Sequence, residues 1–341
     1  MNTKKIYQVH KWSGFIAGLF ILVLGITGSV LSFHQELEGL EYQKYKIVNN
    51  TQTVNIDKAL KAINQEFLGW DIRLQKFSTD SRQTLIFQLR RPSERLILFV
   101  HPSSGAIMKV ADQRDSNVFW ILKLHYSLHS GLVGEVIVFI AGLLFILSLA
   151  TGLIIYRKAL FKVLTFQTRF LKKRKRSIAS SLHRYVGVWA LLLNLVMALT
   201  GMVISYEIIK SGLQNQPASQ IMNVDIPVSI DSVILALKES HPNFNPSYIR
   251  FPVKPETPIV LAGTVKHDAY FYSKYYNTVN VDIATGVIDD LKINKSLSSL
   301  VRGIHFIDYG NILVKLLFCL VGISPPLLAV TGFLLWRWKK K

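Results

Sequence analysis

Six of the nine histidines fall at the ends of long apolar stretches: His10 and His183 at one kind of end, His34, His125, His129 and His305 at the other. Imidazole nitrogen is the commonest protein ligand for transition metals. Four of the six answer one another in the chain's internal register, His10 with His183 and His125 with His305. Two imidazoles facing across a helical bundle are what a six-coordinate haem needs, since the macrocycle supplies the four equatorial nitrogens. A histidine at a membrane boundary otherwise simply sits amid headgroups and water, and for a lone residue that reading would win. His34 answers to Glu207 and His129 to Tyr309, so these two are secondary candidates. His125 and His129 are four apart, a spacing that puts both on one helical face where they could chelate a metal.

The elements that must position these residues are set by hydropathy. Half of the 341 residues are hydrophobic, and the mean hydropathy is +0.30. Four stretches have the length and apolarity of membrane-crossing helices: Trp12 to Phe33, Leu132 to Tyr156, Tyr185 to Tyr206 and Ile312 to Trp336. The first is longer than the core of a secretory signal and no small-x-small cleavage site follows it, so a retained helix is expected. The net charge of +19 is concentrated: residues 1–11, 157–184 and 337–341 hold seventeen Lys or Arg and no acid. The positive-inside rule makes these segments cytoplasmic. The run Lys172 to Arg176 reads as a topology anchor against anionic lipid rather than a nucleic-acid site. The expected order is a cytoplasmic N-terminus and first span over 1–34, an outer domain over 35–123, a second span over 124–156 and a basic loop over 157–182. A third span over 183–206, a second outer domain over 207–303, and a fourth span with a basic tail over 304–341 complete it. Cys319 is the sole cysteine, which excludes a disulfide framework and covalent c-type haem.

The chain repeats itself. Residues 10–33 match 183–206 with ten identities in 24, including His10, Gly14, Ala17 and Thr27-Gly28, and His125 and Thr151-Gly152 match His305 and Thr331-Gly332. With an even number of spans in each half, the halves share one orientation, and equivalent residues face one another across an axis along the membrane normal. The helical face from His10 continues through Gly14, Ala17, Ile21, Gly25, Gly28 and Ser32, and that from His183 through Gly187, Ala190, Asn194, Ala198, Gly201 and Ser205. Such small residues leave room for a flat macrocycle and suit close helix contact equally well.

The outer segments repeat too. Ile56 to Ile63 and Ile230 to Leu237 have helical spacing with an Asp for capping, followed by β-rich runs at Thr84 to Leu89, Arg95 to His101, Ala269 to Tyr276 and Thr278 to Ile283. Each outer segment is expected to be a small α+β domain, one helix on an antiparallel sheet. In the aromatic run Tyr270 to Tyr276, alternation would put Tyr270 and Tyr272 on one face, suited to an iron chelate or to packing against a helix. No nucleophile–base constellation, phosphate loop or zinc-protease motif occurs, which argues against hydrolysis.

With these residues quoted, the chain resembles the PepSY-associated transmembrane family. The resemblance rests on His-Lys/Arg-aromatic-x-Gly opening the first and third spans, Thr-Gly near their far ends, Leu124-His125 and Ile304-His305 before the second and fourth, and PepSY-like segments between. It implies a haem-bearing inner-membrane reductase of ferric iron or ferric siderophores. His10 with His183 and His125 with His305 would be the axial ligands of two haem b groups. The substrate would be a ferric siderophore or other ferric chelate held by the outer domains, and the electron donor a quinol or a separate reductase. Two other readings stay open: a non-enzymatic module in which the PepSY-like domains bind a peptide or protein, and an iron-related transporter.

Overall fold

Residues 3–46, 48, 52–76, 80–92, 94–214, 221–222, 224–266, 271–273, 275–307 and 311–338 are described by the structure, a computed structural model. In chain order the first half runs α1 (Thr3–Leu31), α2 (His34–Glu41), α3 (Ile56–Glu66), β1 (Asp71–Lys76), β2 (Leu85–Arg90), β3 (Arg95–Val100), β4 (Ile107–Asp112), α4 (Asn117–Ser127) and α5 (Gly131–Tyr156). After α6 (Leu160–Leu164) come α7 (Lys175–Trp189), α8 (Leu191–Leu213), α9 (Ile230–Ser240), β5 (Phe244–Arg250), β6 (Ile259–Val265), β7 (Asn277–Val281), α10 (Leu297–Phe306) and α11 (Ile312–Arg337). The chain divides into two units, one built from residues 1–34, 120–215 and 304–341, the other from 35–119 and 216–303.

The first unit is a helical bundle. Helices α1, α5, α8 and α11 are each long and apolar enough to cross a membrane. Within the unit α1 lies against α5 and α11, α5 against α8, and α11 against α7, so α1 and α8 are diagonal partners. Close approach of α1 to α11 is bought by small residues: a Cβ at Gly25 would stand 2.4 Å from Pro326 Cδ, and one at Gly18 would stand 3.1 Å from Ala329 Cβ. Ser29 Oγ donates to the Cys319 carbonyl at 3.0 Å in the same seam. At these glycines, then, close helix contact is the reading that holds.

Three expected spans are interrupted, the fourth between Phe306, where α10 ends, and Ile312, where α11 begins. The third breaks at Ala190, where α7 ends and α8 begins. Ahead of α5, Leu128 and His129 both take left-handed backbone, with φ of 48° and 56°, which ends α4 at Ser127. Left-handed φ is uncommon for residues with a Cβ. The expectation that His125 and His129 share one helical face is thereby corrected: His125 is on α4, and His129 lies in the break with its ring on Trp120, 4.8 Å between ring centres. The break removes the one-face spacing on which the expected chelate rested.

The second unit differs from two self-contained domains. Its strands form one seven-stranded antiparallel sheet in the order β4-β3-β2-β1-β5-β6-β7. The two halves meet where β1 pairs with β5, Arg73 opposite Arg250 and Leu74 opposite Ile249. Pairing β1 with β5 satisfies an edge that either half alone would leave open. Helices α3 and α9 cover one face, burying Ile56, Leu60, Ile63, Ile230, Val233 and Leu237 against Leu74, Phe87, Leu98, Ile249, Leu261 and Val279. Gly105, at φ 75° in the β3–β4 turn, is needed twice over, since a Cβ there would also stand 2.7 Å from the Lys58 carbonyl.

Helix capping shows the same joining of halves. Asn55 and Ser229 cap α3 and α9, their side chains accepting from Lys58 N and Ser232 N. The aspartates expected to cap their own helices instead cap each other's: Asp231 accepts from Ile56 N at 3.0 Å and Asp57 N at 3.1 Å, and Asp57 accepts from Ile230 N at 2.7 Å. Burial, then the nearby Asp57 charge, raise the Asp231 carboxyl above the usual carboxylate range.

Candidate functional site: four clamped histidines in the helical bundle

The four symmetry-related histidines are held by one local device used four times. Each Nδ1 meets the hydroxyl of a threonine that precedes glycine: His10 with Thr151 at 3.3 Å, His125 with Thr27 at 2.9 Å, His183 with Thr331 at 2.9 Å and His305 with Thr200 at 3.0 Å. The following glycine faces the ring. A Cβ at Gly152, Gly28, Gly332 or Gly201 would stand 3.2, 3.0, 3.4 or 2.9 Å from the Cε1 of His10, His125, His183 or His305. Thr-Gly is legible in the sequence as a dipeptide repeated at these four places. Its partner histidine is on a different helix, so the role of the dipeptide is invisible from spacing.

The hydrogen bonds decide which ring nitrogen carries the proton. Each threonine hydroxyl donates to the carbonyl four residues earlier, at 2.7 to 2.8 Å, and so has its oxygen left to accept. At His10 the carbonyl three residues before the threonine accepts as well, Ser148 O lying 3.0 Å from Nδ1. A carbonyl only accepts, and a hydroxyl whose proton is already donated can only accept, so each Nδ1 is the N–H and each Nε2 bears the lone pair. Metal-bound histidines commonly have their second nitrogen engaged in this way, which fixes ring orientation and raises the basicity of the ligating nitrogen.

Within each half the clamps are reciprocal. His10 on α1 reaches Thr151 on α5, while His125 on α4 reaches back to Thr27 on α1. His183 on α7 reaches Thr331 on α11, while His305 on α10 reaches Thr200 on α8. His10 and His183 come together across the bundle, ring centres 6.2 Å apart and planes at 81°. Two imidazoles on one metal at about 2.0–2.1 Å each, with ring centres about 1.2 Å behind the nitrogens, would put those centres roughly 6.4 Å apart. The spacing, the tautomer and the absence of side chains at the four glycines all fit two axial ligands of a haem. Along α1, His10 and the Thr27 clamp are 17 residues apart, about 26 Å at helical rise. That is shorter than the span from His10 to His34, because His125 docks inside the end of α1.

The remaining expectations fare differently. His34 begins α2 with Nδ1 3.0 Å from the Leu31 carbonyl and takes no part in the clamps. Tyr270 lies outside the described residues. Tyr272 stacks on Phe271 with ring centres 5.2 Å apart. Of the expected strand over Ala269 to Tyr276, Ala269, Tyr270 and Lys274 lie outside the described residues, none of the described ones is in a strand, and β7 begins at Asn277. Ser273 N bonds to the Ser299 carbonyl and Tyr276 OH to Ser298 Oγ, so this segment is folded onto α10 and its approach, and the alternation argument lapses.

A family model for the PepSY-associated TM region matches residues 7–340. The chain belongs to this family. None of the curated proteins compared matches it. The family match and the four candidate spans make it a membrane protein of the PepSY-associated type.

Proposed function

We propose that this PepSY-associated protein is a haem-containing membrane oxidoreductase that reduces ferric iron or a ferric siderophore outside the cytoplasmic membrane. The observation carrying this reading is the fourfold clamp, which protonates Nδ1 and leaves Nε2 of His10, His125, His183 and His305 with a free lone pair. Bound haem would supply one-electron chemistry, cycling its iron between two oxidation states. The chain's own residues bind and orient: His10 with His183 would hold an inner haem b, and His125 with His305 an outer one. The threonines fix the rings, and the four glycines keep the space beside them free of side chains. The equivalence of the clamps also supports descent from a duplicated unit with parallel halves.

The charge distribution supports an inner-membrane orientation with both termini and the loop 157–182 cytoplasmic, and with the sheet unit on the periplasmic side. Reporter fusions after Lys175 and after Lys254 test this; activity in the same compartment would refute it. A quinol or a separate reductase is the proposed donor.

The function is tested by the optical spectrum of purified protein before and after dithionite, followed by mixing the reduced protein with ferric chelates. A six-coordinate haem spectrum and reoxidation by a chelate are expected. His10→Ala and His183→Ala should remove one haem, and His125→Ala and His305→Ala the other. Full six-coordinate haem in all four variants would overturn the assignment, and reoxidation by a quinone analogue alone would replace iron reduction with quinone-linked transfer.

A further inference from the structure

The sheet face opposite α3 and α9 carries a charge pattern that folding alone does not favour. The strand register puts Arg73 directly opposite Arg250, and Arg90 directly opposite both Asp71 and Arg95. Residues directly opposite in an antiparallel pair share a face, and like charges so placed destabilise a sheet. Four arginines from β1, β2, β3 and β5 therefore gather on one face with a single carboxylate among them in this register. The clustering is local, because the three cytoplasmic-type segments account for seventeen of the chain's net +19.

The inner members are held in place. Arg73 is bound to Asp71 through Nε at 3.0 Å and donates from Nη1 to Tyr248 OH at 3.1 Å, and Arg90 Nε donates to the buried Gln88 Oε1 at 2.5 Å. Tyr248 is braced edge-on by Tyr275, ring centres 5.6 Å apart. The outer members are exposed, and among the described residues neither the Arg95 nor the Arg250 side chain has a hydrogen-bond or ion-pair partner. Burial, then the charges of Arg73 and Arg95, bring Arg90 down to about 10, as expected for cations crowded without enough counter-charge.

We propose that this face, formed by Arg73, Arg90, Arg95, Arg250 and Tyr248, is a binding site for a small, multiply anionic carboxylate ligand; resting on the function proposed above, that ligand is a carboxylate chelate carrying ferric iron. A guanidinium presents paired N–H donors that match a carboxylate two bonds at a time, and several in one plane select a ligand bearing several carboxylates. Tyr248 adds a hydroxyl beside the fork of Arg73. This site lies on strands, which hold geometry more tightly than the aromatic segment at 270–276.

Citrate and ferric citrate are the probes, titrated calorimetrically into full-length oxidised protein in nanodiscs of phosphatidylcholine. Arg95→Gln/Arg250→Gln removes the two exposed cations and leaves the half-buried Arg73 and Arg90, so the sheet should stay folded, checked by its melting transition. The expected result is citrate binding that weakens with salt and falls at least tenfold in the double variant, with Arg250→Lys intermediate and a neutral ferric hydroxamate failing to compete. Equal citrate affinity in the double variant, or no citrate binding by the wild type, would overturn the site. So would displacement of citrate by phosphatidylglycerol nanodiscs through the same two arginines, which would make it a lipid-headgroup surface. The titration involves no electron transfer, so citrate binding to a protein without haem would sink the proposed function and leave this site standing.

Discussion

Alanine at the four clamp glycines should affect the four histidine sites in a graded order set by the distance from each new Cβ to its ring. That distance is 2.9 Å at Gly201, 3.0 Å at Gly28, 3.2 Å at Gly152 and 3.4 Å at Gly332. Carbon atoms pack comfortably from about 3.5 Å, so His305 would have to retreat by about 0.6 Å and His183 by only about 0.1 Å. Overpacking of this kind costs about 1–3 kcal/mol. Against it stands the gain from replacing glycine inside a helix, about 0.8–1 kcal/mol. The two terms nearly cancel or favour alanine at Gly332, whereas at Gly201 a net loss of up to about 2 kcal/mol remains, or roughly thirtyfold in haem affinity. The assay is haem occupancy of each purified variant by haemochrome absorbance during titration of haem into depleted protein, with the melting temperature of the haem-free form as a second readout. Gly201→Ala and Gly28→Ala should lower occupancy of the His125–His305 site, Gly152→Ala should act weakly on the His10–His183 site, and Gly332→Ala should raise the melting temperature. Equal loss in Gly332→Ala and Gly201→Ala, or full occupancy in Gly201→Ala, would refute the claim that these glycines are there for the histidine rings.

Thr331→Val removes the hydroxyl partner of His183 Nδ1; haem affinity should fall by about tenfold, and Thr331→Ser should restore it. If valine and serine behave alike in the haem titration, the hydroxyl has no part in the clamp. Asp231→Ala should destabilise the sheet unit by about 1 kcal/mol through loss of the cap on α3. Because the folded Asp231 carboxyl is raised by burial and by Asp57, the folded protein holds that proton longer than the unfolded chain. Its contribution to stability is complete below the unfolded carboxylate value of about 4 and declines as pH rises through the folded value. Asp231→Asn should flatten that decline, and an unchanged slope of melting temperature against pH from 4 to 7 would exclude Asp231 as its source.

The spans were readable because a membrane helix must satisfy its own backbone and face hydrocarbon, so length and apolarity suffice to find it. The histidine pairs were readable because duplication writes the symmetry of the bundle into the sequence: the match of residues 10–33 to 183–206 requires no knowledge of contacts. What the clamps do was not readable. Thr27-Gly28 and His125 are 98 residues apart and meet only when α4 docks on α1, and the proton assignment depends on a hydroxyl of that neighbouring helix. The small-residue stripe shows the same division, for Gly25 serves the contact with Pro326 and Gly28 the ring of His125, though the two are three residues apart on one helix. β-rich composition was legible in β2 and β3 and misleading at the described residues of the run Ala269 to Tyr276, where Ser273 and Tyr276 bond to Ser299 and Ser298. Whether the outer segments close two sheets or share one turns on the β1–β5 edge, and edge pairing leaves no periodic signal within either strand. The arginine face follows from that same edge: Arg73 and Arg250 are 177 residues apart in sequence and become direct neighbours only through the register of β1 on β5.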